Sequence, residues 1–169
     1  MRPAGVILAI VAALALQTTL ARFFTRGAVA VDLVLVAVVY VALTSGPGTG
    51  LLSGTFAGLV QDALSSRVLG IGGLAKTIVG FLAGVIGTQF IVSQPVPRFV
   101  VFFGSSMLDL LVSKGLYALL DLRQFGSPYA AIAGESAANA IVGVAVFQLV
   151  ELLPGAVERR KAARHRLQR

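Results

Sequence analysis

The chain has 169 residues, of which 57% are hydrophobic and only 12% charged, and fourteen Lys and Arg against seven Asp and Glu give a net charge of +7. Such a composition excludes an ordinary soluble domain, which needs more polar surface than this chain can supply. With no cysteine there is no disulfide, thiolate metal site or cysteine nucleophile, and a single histidine, His165, leaves little from which to build a metal centre.

In chain order the apolar blocks run Ala4 to Leu20, Ala28 to Leu43, Gly48 to Leu64, Gly70 to Val92, Phe99 to Leu120 and Tyr129 to Leu153. Each is about long enough for a helix to cross the ~30 Å hydrocarbon core. A bilayer offers no water to backbone groups, so the spans must be helical, and the expected fold is an all-α polytopic membrane protein with six transmembrane helices. Met1-Arg2-Pro3 before an apolar run imitates a secretory signal, but five further spans favour an uncleaved first helix. The second and third blocks are the shortest and meet at Thr44-Ser45-Gly46-Pro47-Gly48, a tight-turn sequence; a five-span count would require one of them to be re-entrant.

The expected transmembrane domain covers residues 1–153 and a basic tail covers 154–169. Arg159, Arg160, Lys161, Arg164, Arg166 and Arg169 hold six of the fourteen cationic residues. The positive-inside rule puts this tail in the cytoplasm, and an even span count puts the N-terminus there too. The tail reads as a topology anchor, with anionic lipid or a cytoplasmic protein as the functional alternative. His165 in this run reads as a solvated side chain. The basic excess sits beside a membrane span, so lipid rather than nucleic acid is the expected partner.

Asp32, Asp62, Lys76, Asp109, Lys114 and Glu135 fall within apolar blocks, where an ionisable group is costly and normally faces protein or water. With both termini inside, Asp32, Asp62, Lys76, Lys114 and Glu135 collect in the outer half of the bundle, Gln61 beside them and Asp109 near mid-depth. The nearest bases to Asp62 in sequence are Lys76 and Arg67, its expected partners. Asp109 and Lys114, five residues apart, point to partners on other helices. Arg22, Arg26, Arg67 and Arg123 in the outer loops could balance the acids. The cluster reads either as interhelical pairs that fix helix order or as a polar cavity open to the outside.

Gly50, Gly54 and Gly58 recur at every fourth position, as do Gly80 and Gly84, with Ala9 and Ala13 a weaker pair. Such stripes let helix backbones approach closely, here within the monomer in preference to a homo-oligomer interface, with capture of a single-span partner helix as the other use of the surface. Gly70 to Thr77 imitates a phosphate-binding loop, but Ala75 replaces the second glycine and the segment lies in a span, so nucleotide binding is rejected. No serine, histidine and acid arrangement points to an enzyme, and no cofactor is expected.

Asp32 within Val31 to Val36, then Gly46-Pro47, Gly54 through Gly58 to Gln61-Asp62-Ala63-Leu64, Leu69-Gly70, and Leu74-Ala75-Lys76-Thr77 through Gly80 together resemble MreD, the rod shape-determining membrane protein family. The resemblance is densest from Asp32 to Gly84, and Gln61-Asp62 followed by Leu69-Gly70 is its most specific element. It implies a non-enzymatic scaffold of the bacterial cytoplasmic membrane that binds MreC and links MreB filaments to the peptidoglycan synthases of cell elongation. It also implies a fold similar to the S subunits of energy-coupling-factor transporters. A vitamin-binding S subunit is accordingly the alternative reading, with Ala9-xxx-Ala13 as its docking surface.

Overall fold

The structure, a computed structural model, describes residues 3–23, 31–65, 68–89, 94–120 and 129–166. Among them are six helices and no strand: α1 Pro3–Phe23, α2 Leu33–Ser45, α3 Pro47–Leu64, α4 Ile71–Gln89, α5 Pro95–Leu119 and α6 Tyr129–Arg166. Among the described residues three stretches are long and apolar enough to cross a membrane: α4, α5 and residues Ala130–Leu152 of α6. Ala4–Thr19 of α1 and the whole of α2 are apolar but shorter.

Valine is a weak helix former because its branched Cβ loses rotamer freedom, yet α2 carries five valines, Val34, Val36, Val38, Val39 and Val41. Tertiary burial compensates. Val34, Leu35, Val36, Val38, Val39, Val41 and Ala42 are all buried, and α2 touches each of the other five helices. Around it the neighbours run α1, α3, α4, α5, α6, while α1 and α6 do not meet among the described residues. One apolar cluster joins α2 to α1 and α3 through Val6, Ile10, Leu14 and Ala57. A second joins it to α4, α5 and α6 through Val79, Ala83, Phe102, Ala140 and Phe147. Tyr40 packs against both.

The α3–α4 interface is the largest. Gly46, with φ 88°, makes the left-handed turn, and Pro47 opens α3 with its fixed φ. The two helices then run antiparallel at backbone distance. A Cβ on Gly50 would strike the Gly80 carbonyl, one on Gly54 the Lys76 carbonyl, and one on Gly58 the backbone of Gly72 and Gly73. Gly84 faces Pro47 in the same way. The glycine stripes are therefore occupied by the chain's own helices and leave no surface there for a partner helix.

The α5–α6 seam is built differently, from side chains. Arg98 lies 4.0 Å over the Phe147 ring, a methyl group at Gly143 would run into the Phe102 ring, and the Asn139 amide donates to Ser106 Oγ at 2.7 Å. Arg98 also forks onto Glu151 with bonds of 2.8 and 2.7 Å. Helix α6 continues through Pro154 to Arg166, so the expected boundary at Leu153 is not marked by a helix end.

Candidate functional site: a buried polar junction

Hydropathy places Asp32 inside an apolar helix starting near Ala28. It stands instead at the N-cap of α2, and its Oδ1 accepts the Leu35 N–H at 3.0 Å. A carboxylate suits that position because the first N–H groups of a helix have no intrahelical acceptor. Neighbouring helices hold the cap in place. From α1, Gln17 accepts the Leu33 N–H at 2.8 Å and donates to the Val31 carbonyl at 3.1 Å. From α6, Asn139 Oδ1 accepts the Asp32 N–H at 2.8 Å, and from α3, Gln61 donates to Asp32 Oδ1 at 3.2 Å.

Lys76 of α4 reaches this cap. Its ammonium lies 2.9 Å from Asp32 Oδ2 and 3.4 Å from Asp109 Oδ2 on α5, with the lysine side chain only 3% exposed. An isolated ammonium at such depth would be prohibitive, whereas one shared between two carboxylates is tolerated. Asp32, Gln61, Lys76 and Asp109 thus meet in one junction, joined by Gln17, Ser106 and Asn139. It ties together residues from all six helices.

Asp62 does not join it. Of its two expected partners, Lys76 pairs instead with Asp32 and Asp109, and Arg67 lies outside the described residues. What Asp62 does is cap backbone: its Oδ2 accepts N–H bonds from Gly70 at 3.0 Å, Gly72 at 3.0 Å and Gly73 at 3.2 Å. The carboxylate sits at the N-terminus of α4, where unpaired donors and the positive end of the helix dipole stabilise it. Gly70, at φ 101°, supplies the left-handed turn that aims these donors at it. Lys114 and Glu135 are half-buried on α5 and α6 and make contacts of their own. Arg26, Arg67, Arg123 and Arg169 lie outside the described residues, as do the side chains of Arg22 and of the tail from Arg159 to Arg166.

A reading confined to charges misses Gln17, Ser106 and Asn139, and the charges singled out do not include Arg98 and Glu151 at the ends of their apolar blocks. The signal that could have found Gln17 and Asn139 is the isolated amide. Gln17 and Asn139 interrupt apolar runs, and a primary amide with four hydrogen-bonding positions needs buried partners as a charge does.

Among the described residues no group of three or more His, Cys, Asp or Glu side chains converges as a metal site. The junction's chemistry is that of a lock: one cation between two anions, with the Gln61 amide and the Leu35 N–H also donating to Asp32. No curated protein and no solved structure matches the chain, so the likeness to transporter S subunits rests on the family resemblance alone. A family model for rod shape-determining protein MreD matches residues 3–154, a stretch that includes α1 to α5, the membrane-length part of α6 and every residue of the polar junction. The chain belongs to the MreD family.

Proposed function

We propose that this protein is a non-enzymatic, multi-pass scaffold of the bacterial cytoplasmic membrane, and that it serves rod shape determination by capturing a single-span partner helix, MreC. Through that partner it connects cytoplasmic MreB filaments to peptidoglycan synthesis. The family supplies the role in shape determination. What supports helix capture is the open side of the bundle: among the described residues α1 and α6 both pack on α2 but not on each other. On α2 the residues left incompletely buried include Leu33, Ala37, Tyr40 and Thr44, spaced four, three and four apart and so aligned on one helix face. Lipid does not drive apolar helices together, so such a strip favours a partner that packs closely at its alanine and meets its tyrosine and threonine.

Six spans with both termini in the cytoplasm belong to the same proposal, and reporters fused after Arg169 and within the Phe23 to Gly27 loop should register opposite sides. The docking test uses the absence of native cysteine. A cysteine at Ala37 should cross-link to single-cysteine MreC in membranes, and one at Phe81, exposed on α4 away from the strip, should not. Equal capture at both positions, or capture only at Phe81, would remove the docking site.

A further inference from the structure

The α5–α6 seam has a constant register. Arg98 meets Phe147, Phe102 meets Gly143 and Ser106 meets Asn139, each step advancing four residues on α5 while receding four on α6. In antiparallel helices the next rung falls three or four residues further on, which sets Asp109 opposite Ser136. Both are buried, Ser136 completely. Ser136 Oγ nevertheless has no hydrogen-bond partner, alone among the buried side-chain atoms described. Asp109, on the opposite rung, reaches Lys76 at no less than 3.4 Å, against 2.9 Å for Asp32.

We propose that Asp109 and Ser136 bind a water molecule between them, inside the bundle. A buried hydroxyl without a partner is costly, and a buried water with two or more polar neighbours is the usual remedy. The local chemistry selects a neutral guest. The Lys76 ammonium disfavours a cation beside Asp109, and the carboxylates of Asp109 and Asp32 disfavour an anion. Water can donate to the carboxylate and accept from the serine at once. It closes a ring of polar contacts: Asp32 to Lys76, Lys76 to Asp109, Asp109 through water to Ser136, and along one turn of α6 to Asn139, which returns to the Asp32 N–H. Helices α2, α4, α5 and α6 are thereby each held from two sides. This hydration site stands whether or not the chain captures MreC.

The sign of one substitution decides. In the full-length protein in lipid nanodiscs, Ser136→Ala removes the hydroxyl with little change in volume. With a bridging water the melting temperature falls by roughly 2–4 °C, the shift expected for the loss of one buried hydrogen-bonded link. If Ser136 is merely unsatisfied, the same change leaves the melting temperature unaltered or raises it, and the proposal fails. Asp109→Asn supplies the second arm. Its effect and that of Ser136→Ala should be less than additive in the double variant because both act on one water, while full additivity would overturn the shared guest. Should Asp109→Asn not fold, the Ser136→Ala sign still decides. A saturable stabilisation of wild type by sodium, absent with choline at equal ionic strength, would replace the water with a cation and equally reject the proposal.

Discussion

Two antiparallel helix pairs in this protein solve the same problem by opposite means. The α3–α4 pair brings backbone against backbone through Gly50, Gly54, Gly58, Gly80 and Gly84. The α5–α6 pair meets through side chains and fills the seam with Arg98, Phe102, Ser106 and Asn139. The first is sensitive to added atoms and the second to lost partners. They meet at Lys76, whose carbonyl receives Gly54 and whose ammonium joins the carboxylates of α2 and α5. The tight seam fixes where the lysine starts, and the polar junction fixes where it ends.

Substitution at that meeting point should have the largest effect. Lys76→Ala leaves the Asp32 and Asp109 carboxylates facing each other without their cation, and breaking such a buried pair costs about 3–5 kcal/mol. Little folded protein should accumulate in membranes, and adding Asp109→Asn should recover part of it. If the single variant is as abundant and heat-stable as wild type, the junction is not holding the helices.

Gly54→Leu tests the other seam. The new side chain meets the Lys76 carbonyl, which as backbone cannot swing aside, and overpacking of this kind costs about 1–3 kcal/mol or more. Gly104→Leu on α5, where nothing lies within 4 Å of an added Cβ, is the control and should melt like wild type. Equal behaviour of the two variants would dissolve the contrast between the seams.

Asp62→Ala separates capping from ion pairing. Removal of the acceptor of three backbone donors should cost about 1–3 kcal/mol, and hydrogen exchange should accelerate first at the start of α4, at Gly72 and Gly73. Asp62→Asn should recover much of the loss, because the amide oxygen can still accept. Were Asp62 paired with a cation instead, asparagine would do no better than alanine.

The smallest effect is expected at the far end of the polar seam. Arg98→Lys keeps the charge but gives up the forked bond to Glu151, whose carboxylate is half exposed, so about 1 kcal/mol or less should be lost. A larger loss would mean that the stacking on Phe147 outweighs the ion pair.

The period-four glycines are legible along the chain because close helix approach leaves a mark in one segment at a time: small residues on one face, whatever they pack against. The six helices are legible for the same local reason, since apolar runs between Gly and Pro breaks require internally bonded backbone. In the polar site, membership can be read from the residues but partnership cannot. That Asp32, Lys76 and Asp109 are withdrawn from solvent follows from their apolar surroundings, yet Asp62 stands among equally apolar neighbours and binds only backbone N–H groups among the described residues. The difference is geometric: the Gly70 turn aims three N–H groups at Asp62, while the crossing of α2, α4 and α5 aims one ammonium at the other two acids. Likewise α2 owes its central place to the five helices that cover it. Hydropathy depends on each residue alone and can be read along the chain, whereas a partner is a relation between segments distant in sequence, and only their packing decides it.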